Sequence, residues 1–297
     1  MRETTWGEFV VTRLIRAAGY SAILFIALIF LFLVREGVPA LFEAPLSVLA
    51  GARWYPIEGH FGLLPLIGGS AVVTLGAAII AVPFGLGTAI FIAEIAPRWV
   101  REVLKPLVEV LAGLPSVMLG FLGMLVLAPF LREAFNLPTG LTALAGAVLL
   151  AGISLPTIVS VAEDALDTVP RSYREAGLAL GATEWQTIWR VTLPAAGSGV
   201  LTAIMLGLGR AIGETMAVMM VTGNAPVVPG GPGALFGPVR TMTATIAAEM
   251  GEVANGSIHY HVLFLIGILL FFISLIVNLI ASSLVFRQRK RAERILS

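Results

Sequence analysis

The chain has 297 residues, of which 58% are hydrophobic and 12% charged, and its mean hydropathy of +0.94 excludes an ordinary soluble domain. The formal net charge of +1 gives no general attraction to nucleic acid, so none is expected as a partner. The sequence contains no cysteine, which excludes disulfides, thiol catalysis and thiolate metal sites. These features are typical of a multi-pass protein embedded in a lipid bilayer.

Six apolar segments are long enough to cross a bilayer as helices. In chain order they are Ala17–Val34, Leu66–Ile95, Val110–Leu131, Thr139–Ala162, Gly197–Thr222 and Ile258–Phe286. The first is expected to be an uncleaved helix, because Arg35, Glu36 and Pro39 follow it where a signal peptide would have a small-residue cleavage site. The predicted fold class is an all-α integral membrane protein with a six-helix transmembrane bundle.

Lysine and arginine are distributed unequally over the segments that flank these helices. Fourteen of the 19 fall on the side of the N-terminus, and four fall on the other side: Arg35, Arg53, Arg132 and Arg240. Positively charged connections stay inside the cell, so both termini are predicted to be cytoplasmic. The connections after the second and fourth helices are predicted to be cytoplasmic as well.

Three of the predicted helices contain a proline near the middle: Pro83, Pro115 and Pro156. Each proline removes an internal hydrogen bond and is expected to kink its helix. In a bilayer the freed carbonyls must be satisfied by other protein groups or by a wet cavity. One kink would indicate ordinary helix packing, whereas three kinks with small or hydroxylated neighbours favour a bundle around a gated path.

The connection Ser172–Pro194, SYREAGLALGATEWQTIWRVTLP, is polar in an otherwise apolar chain, and we term it the helical loop. Capping-box spacing occurs twice within it, at Ser172 with Glu175 and at Thr183 with Gln186. Gly181 stands where a helix C-cap would fall, and Pro194 is expected to end the second segment. The pattern predicts two short helices joined by a glycine turn.

The second of these helices should carry an apolar face formed by Trp185, Ile188 and Trp189, at positions i, i+3 and i+4. A helix lying on the lipid headgroups would explain the tryptophans. It would not explain a compact helix–glycine–helix that ends in Leu193-Pro194. Such a knob suits a groove in a soluble partner.

The helical loop resembles the EAA loop of permease subunits of ABC importers, through Glu175-Ala176-Gly177, Gly181 and Val191-Thr192-Leu193-Pro194. The spacing matches throughout, with Gly177 in place of the second alanine and Val191 in place of the usual isoleucine. The resemblance implies that this loop, with Trp185 on it, docks into an ATP-hydrolysing subunit. Glu175 could also serve as a helix cap, and the two roles are compatible.

Further segments are similar to the phosphate-specific importer permeases, and closer to the C-type than to the A-type subunit because GRAIGETMAV is followed by VTGN. They are FGLLPLIGGSAVVTLGAAIIAVPFGLGTAIFIAEIAPR, LVEVLAGLPSVMLGFLG, LGLGRAIGETMAVMMVTGN and TMTATIAAEMGE, within Gly62–Ala281. The resemblance implies an ATP-driven phosphate importer in the cytoplasmic (inner) membrane of a prokaryote. It also implies three kinds of partner: a second homologous permease subunit, two ATP-binding cassette subunits and an extracytoplasmic phosphate-binding protein. This chain would bind no cofactor, because ATP and Mg belong to the ATPase.

Arg210 lies about midway along the fifth predicted helix, where a cation costs about 2.5–3.5 kcal/mol on insertion scales and so should face the bundle interior. Glu214 follows at i+4, within reach of it. The two could form a self-neutralised pair that fixes packing, or Arg210 could be a gate or an anion contact. Thr215 and Ser116 are weaker candidate donors, since hydroxyls in helices usually bond their own backbone.

The connection 223–256 is expected to be functional or disordered at its length, and TMTATIAAEMGE within it to form a short helix or a re-entrant piece. His259 and His261 have no ligand partners at metal-site spacing and are interpreted as membrane-edge residues. No catalytic residue and no metal site is predicted. The chain divides into residues 1–65 with the first helix, 66–284 as the permease domain, and 285–297 as a basic cytoplasmic tail.

Two other functions stay open at this point. One is a permease of the same architecture for another oxyanion, such as molybdate, tungstate or sulfate. The other is an ion-coupled secondary carrier, which would need no ATPase-docking loop. A membrane enzyme is disfavoured because no predicted span holds a catalytic cluster or a metal-ligand set, and the chain has no P-loop.

Overall fold

The structure is a computed structural model that describes residues 6–231 and 233–296. Residues 1–5, 232 and 297 lie outside this description, and with them Arg2 of the charge count and the outermost ends of the predicted units 1–65 and 285–297. The regular secondary structure of the described residues is helical apart from one small antiparallel hairpin. The prediction of an all-α membrane bundle is confirmed.

The helices are α1 (Trp6–Gly37), α2 (Pro39–Glu43), α3 (Leu46–Leu49), α4 (Leu64–Ile90), α5 (Arg98–Ala112), α6 (Ser116–Leu122), α7 (Ala128–Ala134), α8 (Ala143–Asp167), α9 (Arg171–Ala179), α10 (Glu184–Thr187), α11 (Leu193–Ala195), α12 (Gly197–Gly213), α13 (Met216–Val221), α14 (Met242–Glu249) and α15 (Ile258–Leu296). Single π-helical turns follow α4, α6 and α10, at Phe91–Ile95, Gly123–Leu127 and Ile188–Thr192. Strands β1 (Trp54–Tyr55) and β2 (His60–Phe61) pair around a short 3₁₀ turn.

The long helices form one bundle with α8 at its centre. Helix α8 packs against α4, α5 and α12, while α1 packs against α15, which in turn contacts α12. At one end, which we term the loop end, buried Ile188 of the helical loop packs with Ala89 of α4 and Leu166 of α8. At the opposite end, the hairpin end, Trp54 and Phe61 of the hairpin share a buried cluster with residues of α4, α14 and α15.

Glycines allow the central helices to approach closely. Ile158 of α8 is fully buried and lies against Gly85 of α4 and Gly207 of α12, and a Cβ built on either glycine would overlap its side chain. Helices in lipid gain little from burying apolar side chains alone, so association depends on this kind of tight backbone packing. Helices α4, α8 and α12 therefore form the close-packed part of the bundle.

The six predicted spans correspond to five long apolar helices and one bent pair of helices. The bent pair joins Glu184–Ala195 to Gly197–Gly213 at 74°, so the helical loop turns sharply into the fifth span at Ala196. The second segment of the loop thus ends at Ala195, one residue beyond the predicted Pro194. Helix α15 runs on past the predicted end of the sixth span to Leu296.

The prediction for the third helix is wrong in its first residue and in placing Pro115 near the middle. The spanning segment begins at Ser116, and Pro115 is the residue before its first turn, not a residue within a helix. The predicted start at Val110 belongs to α5, a separate helix that is apolar on one face only. Pro83 and Pro156 do lie inside helices, α4 and α8 respectively.

Candidate functional site

The helical loop consists of two helical segments joined by a left-handed glycine. Helix α9 ends in a Schellman motif: Gly181 N–H donates to Leu178 O at 2.9 Å, and Ala182 N–H donates to Gly177 O at 3.2 Å. Gly181 has φ +84°, which a residue with a Cβ rarely adopts. The predicted glycine turn is confirmed.

Only one of the two predicted capping boxes exists. Thr183 accepts a hydrogen bond from Gln186 N–H, and the Gln186 side chain accepts one from Thr183 N–H, so α10 begins with a complete box. The box predicted at Ser172 and Glu175 is wrong, because α9 starts at Arg171, after Pro170. Glu175 is exposed and forms no ion pair with another described residue, so its carboxylate is available to a partner.

The helical loop exposes three large apolar side chains on its outer surface. The side chains of Leu180, Trp185 and Trp189 are 89%, 57% and 47% exposed, and the two indole rings lie 5.6 Å apart. Ile188, predicted on the same face, is only 6% exposed because it points into the bundle. The predicted apolar face is therefore divided, with one residue holding the loop and two displayed on its surface.

The inner side of the helical loop is compact. Gly177 is buried where α9 crosses the second segment, and a Cβ there would lie 3.2 Å from Thr187 Oγ1. A small residue at this position of the Glu-Ala-Gly motif is thus required by packing. Ala176 is exposed, Leu193 is half-buried in the loop-end cluster, and Pro194 is exposed at the start of the bend.

Arg174 attaches the helical loop to two spans. Its guanidinium donates from Nε to both carboxylate oxygens of Glu94, at 3.1 and 3.0 Å, and from Nη2 to Glu94 Oε1 at 2.6 Å. It also donates to the carbonyls of Leu166 and Val169 at the end of α8, at 3.0 and 2.8 Å. Sequence reasoning missed this contact, although an acidic residue near the end of an apolar segment, as in FIAEIAPR, is a usable signal.

A second group of ion pairs joins α5 to the same end of α8. Lys105 Nζ lies 2.7 Å from Glu163 Oε2 and 3.2 Å from Asp164 Oδ1. The hydrogen bond to Glu163 raises the pKa of Lys105 above its ordinary value. Arg101 pairs with Asp167 at 3.6 Å and also donates to the carbonyl of Ala93 beside Glu94.

Arg210 and Glu214 do not pair. Helix α12 ends at Gly213, where Glu214 adopts an extended backbone with ψ 129°, so the fifth predicted helix is broken there instead of running to Thr222. The Glu214 carboxylate accepts hydrogen bonds from the N–H groups of Thr215 and Ala217, each at 3.2 Å, and so caps the first turn of α13. The i+4 pairing is overturned because the helix that would bring the two side chains together ends between them.

The guanidinium of Arg210 is left with two long hydrogen bonds. Nη1 donates to Thr157 Oγ1 at 3.3 Å and Nη2 to Ala112 O at 3.4 Å, and it forms no ion pair with any described carboxylate. Thr157, adjacent to Pro156, is a contact of Arg210 that the sequence reasoning missed. Among the other candidates, Thr215 donates to Gly213 O at 3.3 Å, and Ser116 lies half-buried at the start of α6.

The hairpin end is held by one carboxylate. Glu249 accepts a hydrogen bond from Trp54 Nε1 at 3.1 Å, lies 2.7 Å from Arg240 Nη1, and lies 2.8 Å from His259 Nε2. The segment TMTATIAAEMGE forms α14, one of the two predicted forms. His261 Nδ1 lies 2.7 Å from Glu36 O, and the described residues contain no group of three His, Asp or Glu that could hold a metal ion.

Comparisons with known proteins give a consistent result. Residues 81–292 match the family described as "Binding-protein-dependent transport system inner membrane component". A probable ABC transporter permease protein, YqgH of Bacillus subtilis, is 42% identical over 83% of this chain and 79% of its own length. The phosphate transport system permease protein PstC of Mesorhizobium japonicum is 35% identical over 96% of this chain and 94% of its own length.

Solved structures show the same fold at low sequence identity. A bacterial ABC transporter involved in the import of alginate matches with a TM-score of 0.63 and 16% identity, over 96% of this chain and 99% of that one. An inward-facing MetNI methionine ABC transporter matches with a TM-score of 0.59 and 20% identity, over 80% of this chain and 99% of that one.

Proposed function

This chain belongs to the binding-protein-dependent transport system inner membrane component family of ABC importer permeases, and from that premise we propose that it carries inorganic phosphate into a prokaryotic cell. It acts as one membrane-spanning half and pairs with a second, homologous permease subunit. Two ATP-binding cassette subunits dock at the loop end, which faces the cytoplasm together with both termini. A phosphate-loaded binding protein docks at the hairpin end.

The observation that carries the ATPase docking is the composition of the helical loop surface. Leu180, Trp185 and Trp189 are exposed on a loop that is anchored to the bundle, the two indole rings are in contact, and the loop also carries the exposed carboxylate of Glu175. Exposed aromatic side chains around an apolar centre are typical of residues that dominate binding to a protein partner. ATP and Mg bind in the partner, and this chain hydrolyses nothing.

The phosphate step is assigned to Arg210. Its guanidinium retains donors that no described residue accepts, and its planar fork matches two oxygens of a phosphate. Glu214 caps α13 and forms no ion pair with this cation. Arg210 lies between Thr157 of α8 and Ala112 of α5, so movement of either helix changes access to it.

The proposal is tested by purifying the tagged chain from its native host and measuring ATP hydrolysis. Binding protein is added with phosphate, sulfate or molybdate. Hydrolysis stimulated by phosphate alone supports the proposal, and stimulation by another oxyanion keeps the importer and changes its substrate. If no ATPase co-purifies with the folded chain, the docking role of the helical loop is refuted and an ion-coupled carrier becomes the better account.

A further inference from the structure

We propose that the ion pair of Glu94 and Arg174 is the joint through which movement of the helical loop is passed to α4 and α8. Arg174 is a positioning residue in this role, since it touches neither substrate nor ATP. The inference rests on the proposed function, because it concerns how docking at the loop affects the transport path.

The ion pair of Glu94 and Arg174 is made of several hydrogen bonds and is largely excluded from solvent. The carboxylate of Glu94 is 8% exposed and the side chain of Arg174 is 22% exposed, and the guanidinium uses all three of its nitrogens. Charge-assisted bidentate pairs hold a fixed relative orientation in a way that a single contact does not. The helical loop therefore cannot rotate against α4 without breaking several hydrogen bonds at once.

The same guanidinium also holds the end of α8. The carbonyls of Leu166 and Val169 belong to the last turn of that helix and the residues just after it, where carbonyls lack intrahelical partners. A cation at this end is also favoured by the helix dipole. One side chain of the loop thus connects the ends of two spans that are far apart in sequence.

Both connected spans contain a proline at a similar distance from the joint. Pro83 precedes Glu94, and Pro156 precedes Leu166, by about three helical turns. A helix lacks one internal hydrogen bond at a proline, so bending concentrates there. Displacement at the joint would bend α4 and α8 near their prolines, and Thr157 beside Pro156 contacts Arg210.

The joint differs from the neighbouring ion pairs in what it connects. Arg101 donates to Ala93 O in the same turn as Glu94 and pairs with Asp167 at the same end of α8, but it comes from α5, and neither of these contacts involves the helical loop. Arg101 therefore provides a matched control: it links the same two helix ends without carrying the movement of the loop.

The test uses the complete complex, purified with its ATPase and reconstituted in liposomes, with phosphate uptake and ATP hydrolysis measured in parallel. We expect Arg174→Gln and Glu94→Gln to reduce phosphate uptake per ATP hydrolysed about tenfold. The ATPase should still co-purify, because the docking surface is untouched. Arg101→Gln should leave uptake per ATP unchanged.

Three results would refute the proposal that this ion pair is the joint. The first is an unchanged uptake per ATP in both Glu94→Gln and Arg174→Gln. The second is loss of the co-purifying ATPase in both variants, which would mean that the pair only keeps the helical loop folded. The third is an equal reduction in Arg101→Gln. Failure of the proposed function is distinguishable, because the unsubstituted complex would then show no phosphate-stimulated hydrolysis.

Discussion

The break in the fifth predicted helix changes the role that we infer for Arg210. A continuous helix would place Glu214 beside it and leave a neutral pair whose role is packing. The break after Gly213 assigns the carboxylate to the first turn of α13 and leaves the guanidinium with two long hydrogen bonds. The transport hypothesis therefore depends on a backbone feature more than on the identity of the two side chains.

Replacing Arg210 with alanine should reduce phosphate uptake by at least about tenfold while the complex stays assembled, because a charge-assisted contact is lost. Uptake of labelled phosphate into proteoliposomes measures this. Arg98→Ala is the control, since Arg98 is fully exposed and lies on α5 away from Arg210. Equal uptake in Arg210→Ala and the unsubstituted chain would reduce Arg210 to a packing residue.

The raised pKa of Lys105 makes the stability of the folded chain depend on pH in a known direction. Its folded-state pKa is raised above the ordinary value of 10.5 by its hydrogen bond to Glu163, so the stabilisation is fully present below pH 10.5 and is lost as pH rises through the raised pKa. The part of the thermal stability that Lys105 contributes, measured on the chain in detergent, should therefore be lost only in that alkaline window. The variant Lys105→Gln should lose this part of the pH dependence, and a profile identical to that of the unsubstituted chain would contradict the assignment.

Among the structural elements, the helical loop depends on the backbone conformation of Gly181. Its φ of +84° closes the Schellman motif, and a Cβ added there would meet nothing within 4 Å. Any loss of stability on substitution would therefore come from backbone strain and not from a steric clash with other residues. The two segments of the loop keep their angle because this one residue accepts a left-handed geometry.

Gly181→Val should cost about 1–2 kcal/mol in the loop and uncouple ATP hydrolysis from uptake, without preventing membrane insertion. Gly181→Asn is the matched control, because asparagine tolerates the left-handed region better than valine does. Hydrolysis and uptake are compared in the same liposomes. Normal coupling in Gly181→Val would remove the loop from the transport mechanism.

At the hairpin end, three segments contact the same carboxylate, that of Glu249. Trp54, Arg240 and His259 all reach Glu249, so the hairpin, the connection before α14 and the start of α15 are held at one point. At the scale of the molecule, the two ends of the bundle resemble each other, because at each end a carboxylate, Glu94 or Glu249, joins elements that are separate in the sequence.

Glu249→Ala should destabilise the chain by about 2–3 kcal/mol, because it leaves a partly buried arginine and a buried indole N–H without their acceptor. The free energy is measured by thermal or denaturant unfolding in detergent. Glu252→Ala is the control, since Glu252 is an exposed carboxylate three residues further on. Equal stability of the two variants would show that the Glu249 contacts add nothing to the bundle.

The spans could be predicted from the sequence because hydropathy depends on composition over long windows. The glycine turn at Gly181 and the capping box at Thr183 could be predicted because both follow local backbone rules. The start of α6 could not, because α5 is apolar on one face and its hydropathy merges with the span that follows. The break at Glu214 and the contact of Arg174 with Glu94 could not either, since both depend on which distant groups the packed helices bring together.

The joint at Arg174 also has a consequence for biosynthesis. Glu94 precedes Arg174 by 80 residues, and Leu166 belongs to a span inserted in between. The helical loop, which we propose docks the ATPase, can form this joint only after two earlier spans have entered the membrane and come together. A nascent chain in which α4 fails to insert would therefore carry a helical loop without its anchor on that span.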